Sequence, residues 1–188
     1  MYNQIWFPLN AVASLLSFSL IAAWYGIPYL RTLPRVAALM PLLLIHTFRT
    51  FGLTFLVPQV LGGSLPAAFA VPAAVGDLLA AFLAFFSLLA LRRRWPFALL
   101  LVWIFNLEGS FDLLTATFQG VRLHFPDYQV GPGWFIPTLY VPLLLVCHAL
   151  IFWLLLRPSD RPETGSSLPA ETADGVEGGR LRGSLAGR

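Results

Sequence analysis

Lysine is absent from this chain of 188 residues, and charged residues of all kinds make up only 11% of it. Soluble domains carry about 25% charged residues, so this scarcity argues against a water-soluble fold. All 12 basic residues are arginines, and they form no basic stretch interleaved with aromatic residues. We therefore expect no nucleic-acid partner.

Cysteine occurs once, at Cys147. No intramolecular disulfide and no cysteine-based zinc site can form, and we expect no metal site. The sequence also lacks a glycine-rich phosphate loop, a His-Glu-x-x-His motif and a Gly-x-Ser-x-Gly motif. No reaction class has support from particular residues, so the sequence leaves open whether the protein is an enzyme.

Long apolar runs dominate what is present, since 57% of the residues are hydrophobic. The N-terminus lacks the positive region of a secretory signal, so we expect the first run to be retained. A membrane span needs about 20 mainly apolar residues. The sequence predicts an all-α membrane protein, a compact bundle of about five transmembrane helices within residues 1–156 whose main partner is the lipid bilayer. The predicted spans are 5–26, 36–59, 66–91, 95–118 and 134–156.

The arginines predict the orientation of this bundle. With five spans, seven arginines near span ends fall on one side and only Arg122 on the other. Basic residues near span ends concentrate in the cytoplasm. We therefore expect a multi-pass protein of the bacterial inner membrane with its N-terminus outside and its C-terminus inside. Residues 157–188 are rich in Gly, Ser, Pro and balanced charges, which predicts a disordered cytoplasmic tail.

Ionisable and polar side chains interrupt the predicted spans, although a charge at the bilayer centre costs roughly 2.5–3.5 kcal/mol. Arg49 and Asp77 fall near the centre of two antiparallel spans, so the sequence predicts an ion pair between them, with Glu108 and Asp112 as alternative partners. The pair could serve function or merely fix helix register. The candidate site consists of Arg49, Asp77, Asn106, Asp112, His148, His46 and Glu108.

Glu108 and Asp112 are four residues apart and share one face of the fourth span. Two interpretations follow from this spacing. The acids could form a stacked pair that relays protons or binds a cation, or one acid could satisfy Arg49 while the other faces the outer aqueous boundary. The second interpretation is favoured. The following connection, 119–133, could cap an outer cavity, but a solvated loop is the favoured interpretation.

His46 and His148 lie at matched depth in different spans. Two such histidines can ligate a haem, or they can be hydrogen-bonded core residues, which we favour. We therefore expect no cofactor, with haem through His46 and His148 as the alternative.

Three stretches resemble a group of small multispanning bacterial membrane proteins that carry no assigned function. They are His46 to Gly52 followed by Leu65 to Phe69 and Gly76-Asp77; Asn106 to Leu113; and Ile136-Pro137-Thr138 through Val141-Pro142 to His148. The resemblance implies that Arg49, Asp77, Asn106, Asp112 and His148 belong to the group's pattern, from which Glu108 departs. It implies no activity.

Three functional hypotheses remain at this stage. The leading one is a membrane protein whose polar cluster at the membrane midplane binds or passes a small solute or a proton, with Arg49 as an anchor for an anion or a carboxylate. The second is a structural or accessory subunit whose buried polar residues only fix helix packing. The third is a redox protein with haem between the two histidines. The small-molecule ligand is unknown, and a homo-oligomer or a partner membrane protein is left open.

Overall fold

Residues 2–158 are described by a computed structural model of the chain. This part contains helices and turns and no β-strand. Five helices are long and apolar enough to cross a membrane: α1 (Asn3–Arg31), α2 (Arg35–Leu56), α3 (Ala67–Arg92), α4 (Ala98–Arg122) and α5 (Gly131–Leu156). The expected all-α fold with five such helices is confirmed. The tail expected at 157–188 lies, beyond Pro158, outside the described residues.

Two of these helices contain a π-helical turn directly before a proline. In α1 the π turn is Ala22–Gly26 and Pro28 follows, and in α5 it is Ile136–Tyr140 and Pro142 follows. A proline in a helix lacks the N–H donor, and its ring collides with the carbonyl four residues earlier. A wider turn relieves that collision and lets the helix continue, so both helices remain long despite their prolines.

The second helix, α2, changes character at the level of the candidate site. It is α-helical over Arg35–His46 and then 3₁₀-helical over Thr47–Leu56. The apolar run predicted one span continuing to residue 59. The chain instead becomes extended at Val57, with φ −115° and ψ 87°, because the following Pro58 disfavours the α conformation there.

The 3₁₀ segment has a sequence pattern of its own. His46, Arg49, Gly52 and Phe55 are buried, and they follow one another at intervals of three residues. A 3₁₀ helix has three residues per turn, so side chains at i and i+3 eclipse. The tighter winding therefore places all four residues in one straight row facing the bundle, which an α-helix would spread around its surface.

Four of the long helices surround the core. The helix α3 packs against α2 and α4, and α5 packs against α2 and α4. Small buried residues of α3, including Ala80, Ala84 and Ala90, let these helices approach closely. The helix α1 lies outside this group, against α5 and the short Phe125–Asp127 turn.

Side-chain contacts define the two ends of the bundle. At one end, Arg31 lies 5.9 Å from the ring of Trp153, and the Arg35 guanidinium donates to the carbonyl of Arg157. At the other end, Gln4 Nε2 donates to Asp127 Oδ1 at 3.1 Å. The connection after α1 and the end of α5 therefore share the arginine-rich end.

Candidate functional site

Arg49 is fully buried, and it is the largest fully buried side chain in the described part of the protein. Its Nε donates to Asp77 Oδ1 at 2.8 Å, its Nη2 donates to Asp112 Oδ2, and its Nη1 donates to the carbonyl of Gly109 at 3.1 Å. The predicted Arg49–Asp77 ion pair is present, and Asp112 is a second partner. One guanidinium therefore ties α2 to both α3 and α4.

Three glycines make room for this cluster. A Cβ atom added at Gly52 would overlap the Asp77 carboxylate, and one added at Gly76 would overlap the Asp112 carboxylate. A Cβ atom at Gly109 would lie 2.9 Å from Arg49 Nη1, closer than real side-chain contacts permit. The absence of side chains at these positions lets the charged groups approach the neighbouring backbone.

Glu108 lies one helical turn from Asp112 but makes no comparable bond. Its Oε2 atom is buried and has no hydrogen-bond partner within the described residues. The expectation that one acid satisfies Arg49 is confirmed for Asp112. Glu108 is half-buried with this oxygen enclosed by protein, and the expectation that the other acid faces the outer aqueous boundary stays a prediction.

Asn106 and the two histidines form a second buried polar group. Asn106 Nδ2 donates to the His148 carbonyl at 3.3 Å, and Asn106 Oδ1 lies 2.7 Å from His148 Nδ1. Because the amide oxygen accepts, the His148 proton belongs on Nδ1. This leaves Nε2 as an acceptor, and neither it nor the two ring nitrogens of His46 has a hydrogen-bond partner in residues 2–158.

The two imidazole rings touch each other, and this contact bears on the haem hypothesis. The ring centroids of His46 and His148 are 4.2 Å apart, and Phe105 packs against both rings. Two axial histidines must hold a porphyrin plane between them, and rings in direct contact leave no gap for one. The residues therefore do not fit a bis-histidine haem. The described residues also contain no group of three metal-ligating side chains.

Tyr140 links the irregular parts of two helices. It ends the π turn of α5, and its hydroxyl donates to the Ile45 carbonyl at 3.0 Å. Ile45 lies just before α2 becomes 3₁₀-helical. Such a junction leaves backbone carbonyls short of their regular partners, and buried carbonyls need replacement donors. Tyr140 was not among the predicted site residues, and only its position two residues before Pro142 could have suggested it.

A chamber of about 690 Å³ adjoins the Arg49 cluster. Apolar side chains of α1, α3, α4 and α5 form most of its walls, and Asp77 and Asp112 line it. Toward the other end, its lining includes Gln4, His124 and Asp127. No arginine is among its lining residues in the described part of the chain. Cavities of this size accommodate a small organic molecule.

The chamber divides the seven candidate residues into two groups. Asp77 and Asp112 line it, with side chains 13% and 15% exposed. The other candidates, Arg49, His46, Asn106, Glu108 and His148, are not among its lining residues. The connection expected to be a solvated loop also contributes to the chamber, because Phe125 is buried and His124 and Asp127 belong to the lining. The alternative interpretation, a cap on a cavity, describes it better.

Comparison with known proteins identifies a family of unknown function. Residues 6–156 match the family described as a domain of unknown function, DUF8737, so the chain belongs to that family. The match covers all five long helices from Trp6 onward. No curated protein and no solved structure matches the chain. The family membership agrees with the resemblance to proteins without an assigned function.

Proposed function

We propose that this DUF8737 protein is an integral protein of a bacterial inner membrane that crosses the bilayer five times and binds a small cationic or hydrogen-bond-donating solute at Asp77 and Asp112. Five long apolar helices support the membrane location. The arginines at the end shared by Arg31, Arg35 and Arg157 support a cytoplasmic C-terminus, by the excess of basic residues on that side of membranes. A green fluorescent protein fused to the C-terminus should fluoresce, whereas a C-terminal alkaline phosphatase should be inactive; the reverse pattern would contradict this orientation.

One observation carries the proposed binding: both carboxylates that bond to Arg49 line a largely apolar chamber, while Arg49 itself does not. Each of the three guanidinium nitrogens, Nε, Nη1 and Nη2, donates a hydrogen bond to a protein atom, and the side chain is fully buried. Arg49 is therefore occupied, and the role of anion anchor expected for it has no support in this geometry. The groups of this cluster that can contact a solute in the chamber are the carboxylates of Asp77 and Asp112, which are hydrogen-bond acceptors.

The charge balance favours a cation. Asp77 and Asp112 carry two negative charges when ionised, and Arg49 carries one positive charge. Asp127 adds a third carboxylate at the far end of the chamber, and no arginine lines it in residues 2–158. Charges removed from water are expensive unless they are paired. A cation bound beside Asp112 or Asp77 balances the excess charge, and a proton does so when the chamber holds no ligand.

Two ions of matched size and opposite charge test this proposal. We expect the purified protein in lipid nanodiscs to bind tetraphenylphosphonium and not tetraphenylborate, measured by isothermal titration calorimetry. Replacing Asp112 with asparagine should weaken phosphonium binding at least about tenfold, which corresponds to about 1.4 kcal/mol. The matched control is Glu108→Gln, which removes a carboxylate from the same helix that does not line the chamber and should leave the affinity unchanged. Equal affinity for the two ions would overturn the proposal.

A structural role is the second candidate function, and the bridging of α2, α3 and α4 by one guanidinium favours it. In that case the cluster fixes helix packing and the chamber holds no specific solute. Neither ion would then bind, while substitutions in the cluster would still lower the melting temperature. A partner membrane protein or a second copy of the chain recovered with the purified protein would further support the accessory-subunit hypothesis.

A further inference from the structure

The first helix borders the chamber along one side and leaves it open on another. The helices α1 and α4 both line the chamber, but α1 packs closely against α5 and the Phe125–Asp127 turn and not against α4. Val12 and Leu15 of α1 and Val121 of α4 all line the chamber, and they are 54%, 38% and 72% exposed. The exposed lining residues of α1 and α4 therefore mark a lateral slot between these helices.

Aromatic rings pack together at the end of the chamber nearest the N-terminus. Phe7 lies 5.6 Å from Phe125 and 5.1 Å from Trp134 between ring centroids. Phe55 and Phe69 pack against Phe125 at 6.1 Å and 5.1 Å. The hydrogen bond from Gln4 to Asp127 spans the same end. A solute entering between these rings would have to separate them.

The slot itself is apolar along its length. From Asp112 to Val121 it follows α4 for about 14 Å at 1.5 Å per residue. Leu113, Ala116 and Val121 line this stretch, and the Thr117 hydroxyl donates to the Leu113 carbonyl of its own helix at 2.7 Å. Apart from Thr117, a hydrated ion would find no polar side chain along this route to replace its water ligands. The apolar part of an amphipathic molecule, in contrast, would move from lipid to an apolar protein surface at no cost in solvation free energy.

We infer that the chamber is filled from the lipid phase, through the slot between α1 and α4, by an amphipathic amine or another lipophilic cation dissolved in the membrane. The apolar part of the ligand passes between the apolar faces of α1 and α4, and its charged group comes to rest at Asp77 and Asp112. The charge of this ligand rests on the proposed function above; the route rests on the slot and the packed rings.

Collision rates of a nitroxide label test the route without any ligand. Cys147 is the only cysteine, so replacing it with alanine provides a background for a single new cysteine carrying the label. The test position is Ala116, which lines the chamber and is partly buried. Two controls frame it: Ala149, exposed on α5 and outside the chamber lining, and Gln129, exposed in the connection between α4 and α5.

In lipid nanodiscs, the label at Ala116 should collide with oxygen, which dissolves in lipid, and not with a water-soluble nickel chelate, as at Ala149. The label at Gln129 should collide with the chelate. Chelate collisions at Ala116 approaching those at Gln129 would show an aqueous route and overturn the inference. Shielding of Ala116 from both reagents, while Ala149 meets oxygen, would show a chamber closed to lipid and would also overturn it.

The same labelled protein separates this inference from the proposed function. Added tetraphenylphosphonium should reduce the oxygen collisions at Ala116, because the bound ion would occupy the chamber. If the label meets only oxygen and the phosphonium changes nothing and binds nowhere in calorimetry, the lateral route stands and the cationic ligand fails. If the phosphonium binds but the label meets the chelate, the ligand class stands and the lateral route fails.

Discussion

Replacing Arg49 with methionine removes the group that holds three helices together at the depth of the acids. Methionine has a similar length and no charge, so the variant keeps much of the packing while it leaves Asp77 and Asp112 without their shared donor. Breaking a buried ion pair by removing one partner costs about 3–5 kcal/mol. At about 2–4 °C per kcal/mol for a domain of 150–250 residues, we expect the melting temperature to fall by about 6–20 °C.

Cys147 provides the assay. Its side chain is only 3% exposed in the folded protein, and no other cysteine is present. A maleimide dye that fluoresces on reaction with thiols will therefore report unfolding from the native sequence. The compensating variant combines Arg49→Met with Asp77→Asn and Asp112→Asn, which removes the charges together. Because the two carboxylates bonded to Arg49 are neutralised together with its removal, this variant should regain most of the lost melting temperature.

Two results would refute this reasoning. An unchanged melting temperature in Arg49→Met would show that the guanidinium stabilises nothing at this depth. A triple variant less stable than Arg49→Met would show that the destabilisation does not come from the unpaired carboxylates. The variant Asp77→Asn with Asp112→Asn, which leaves Arg49 without a carboxylate partner, should also melt lower than the wild type, since an unpaired arginine at the bilayer centre is itself unfavourable.

Two further predictions use the same melting assay. Gly109→Ala should destabilise the protein, because the added Cβ would lie 2.8 Å from His148 Cε1 and 2.9 Å from Arg49 Nη1. The control, Gly120→Ala in the same helix, meets only ordinary contacts at 3.6 Å and beyond, so its stability should equal that of the wild type or exceed it by up to about 1 kcal/mol. Equal loss of stability in both variants would contradict the crowding at Gly109. Tyr140→Phe should lower stability by about 0.5–1.5 kcal/mol through loss of its hydrogen bond to Ile45, while the exposed Tyr29 provides a control whose change to phenylalanine should have no effect.

The number of long helices and the main ion pair followed from simple sequence features. Apolar runs of sufficient length define five helices, and Arg49 and Asp77 fall at matching depths of antiparallel neighbours. Because an unpaired charge is unfavourable at such depths, few partners were available to Arg49. Matching depth also brought His46 and His148 together, although their ring contact replaces the gap that a haem would need.

Other features depended on information that depth alone does not carry. Counting residues at 1.5 Å per residue assumes a regular α-helix, so the 3₁₀ winding of α2 and the row from His46 to Phe55 were missed. The position of Asp112 as a second partner of Arg49 depends on Gly76, since its lack of a side chain makes room for the Asp112 carboxylate. The chamber exists because α1 does not pack closely against α4. A missing helix contact leaves no periodic pattern in the sequence, so the chamber could not be predicted.

The most direct test of a cation site at Asp77 and Asp112 is to locate the bound ion. Tetraphenylarsonium has the shape and charge of the phosphonium probe, and its arsenic atom scatters X-rays anomalously. Crystals grown with this ion should show one strong anomalous peak inside the chamber, beside the two carboxylates and away from Arg49. A peak outside the chamber, or none in crystals of protein that binds the ion in solution, would contradict the proposed site.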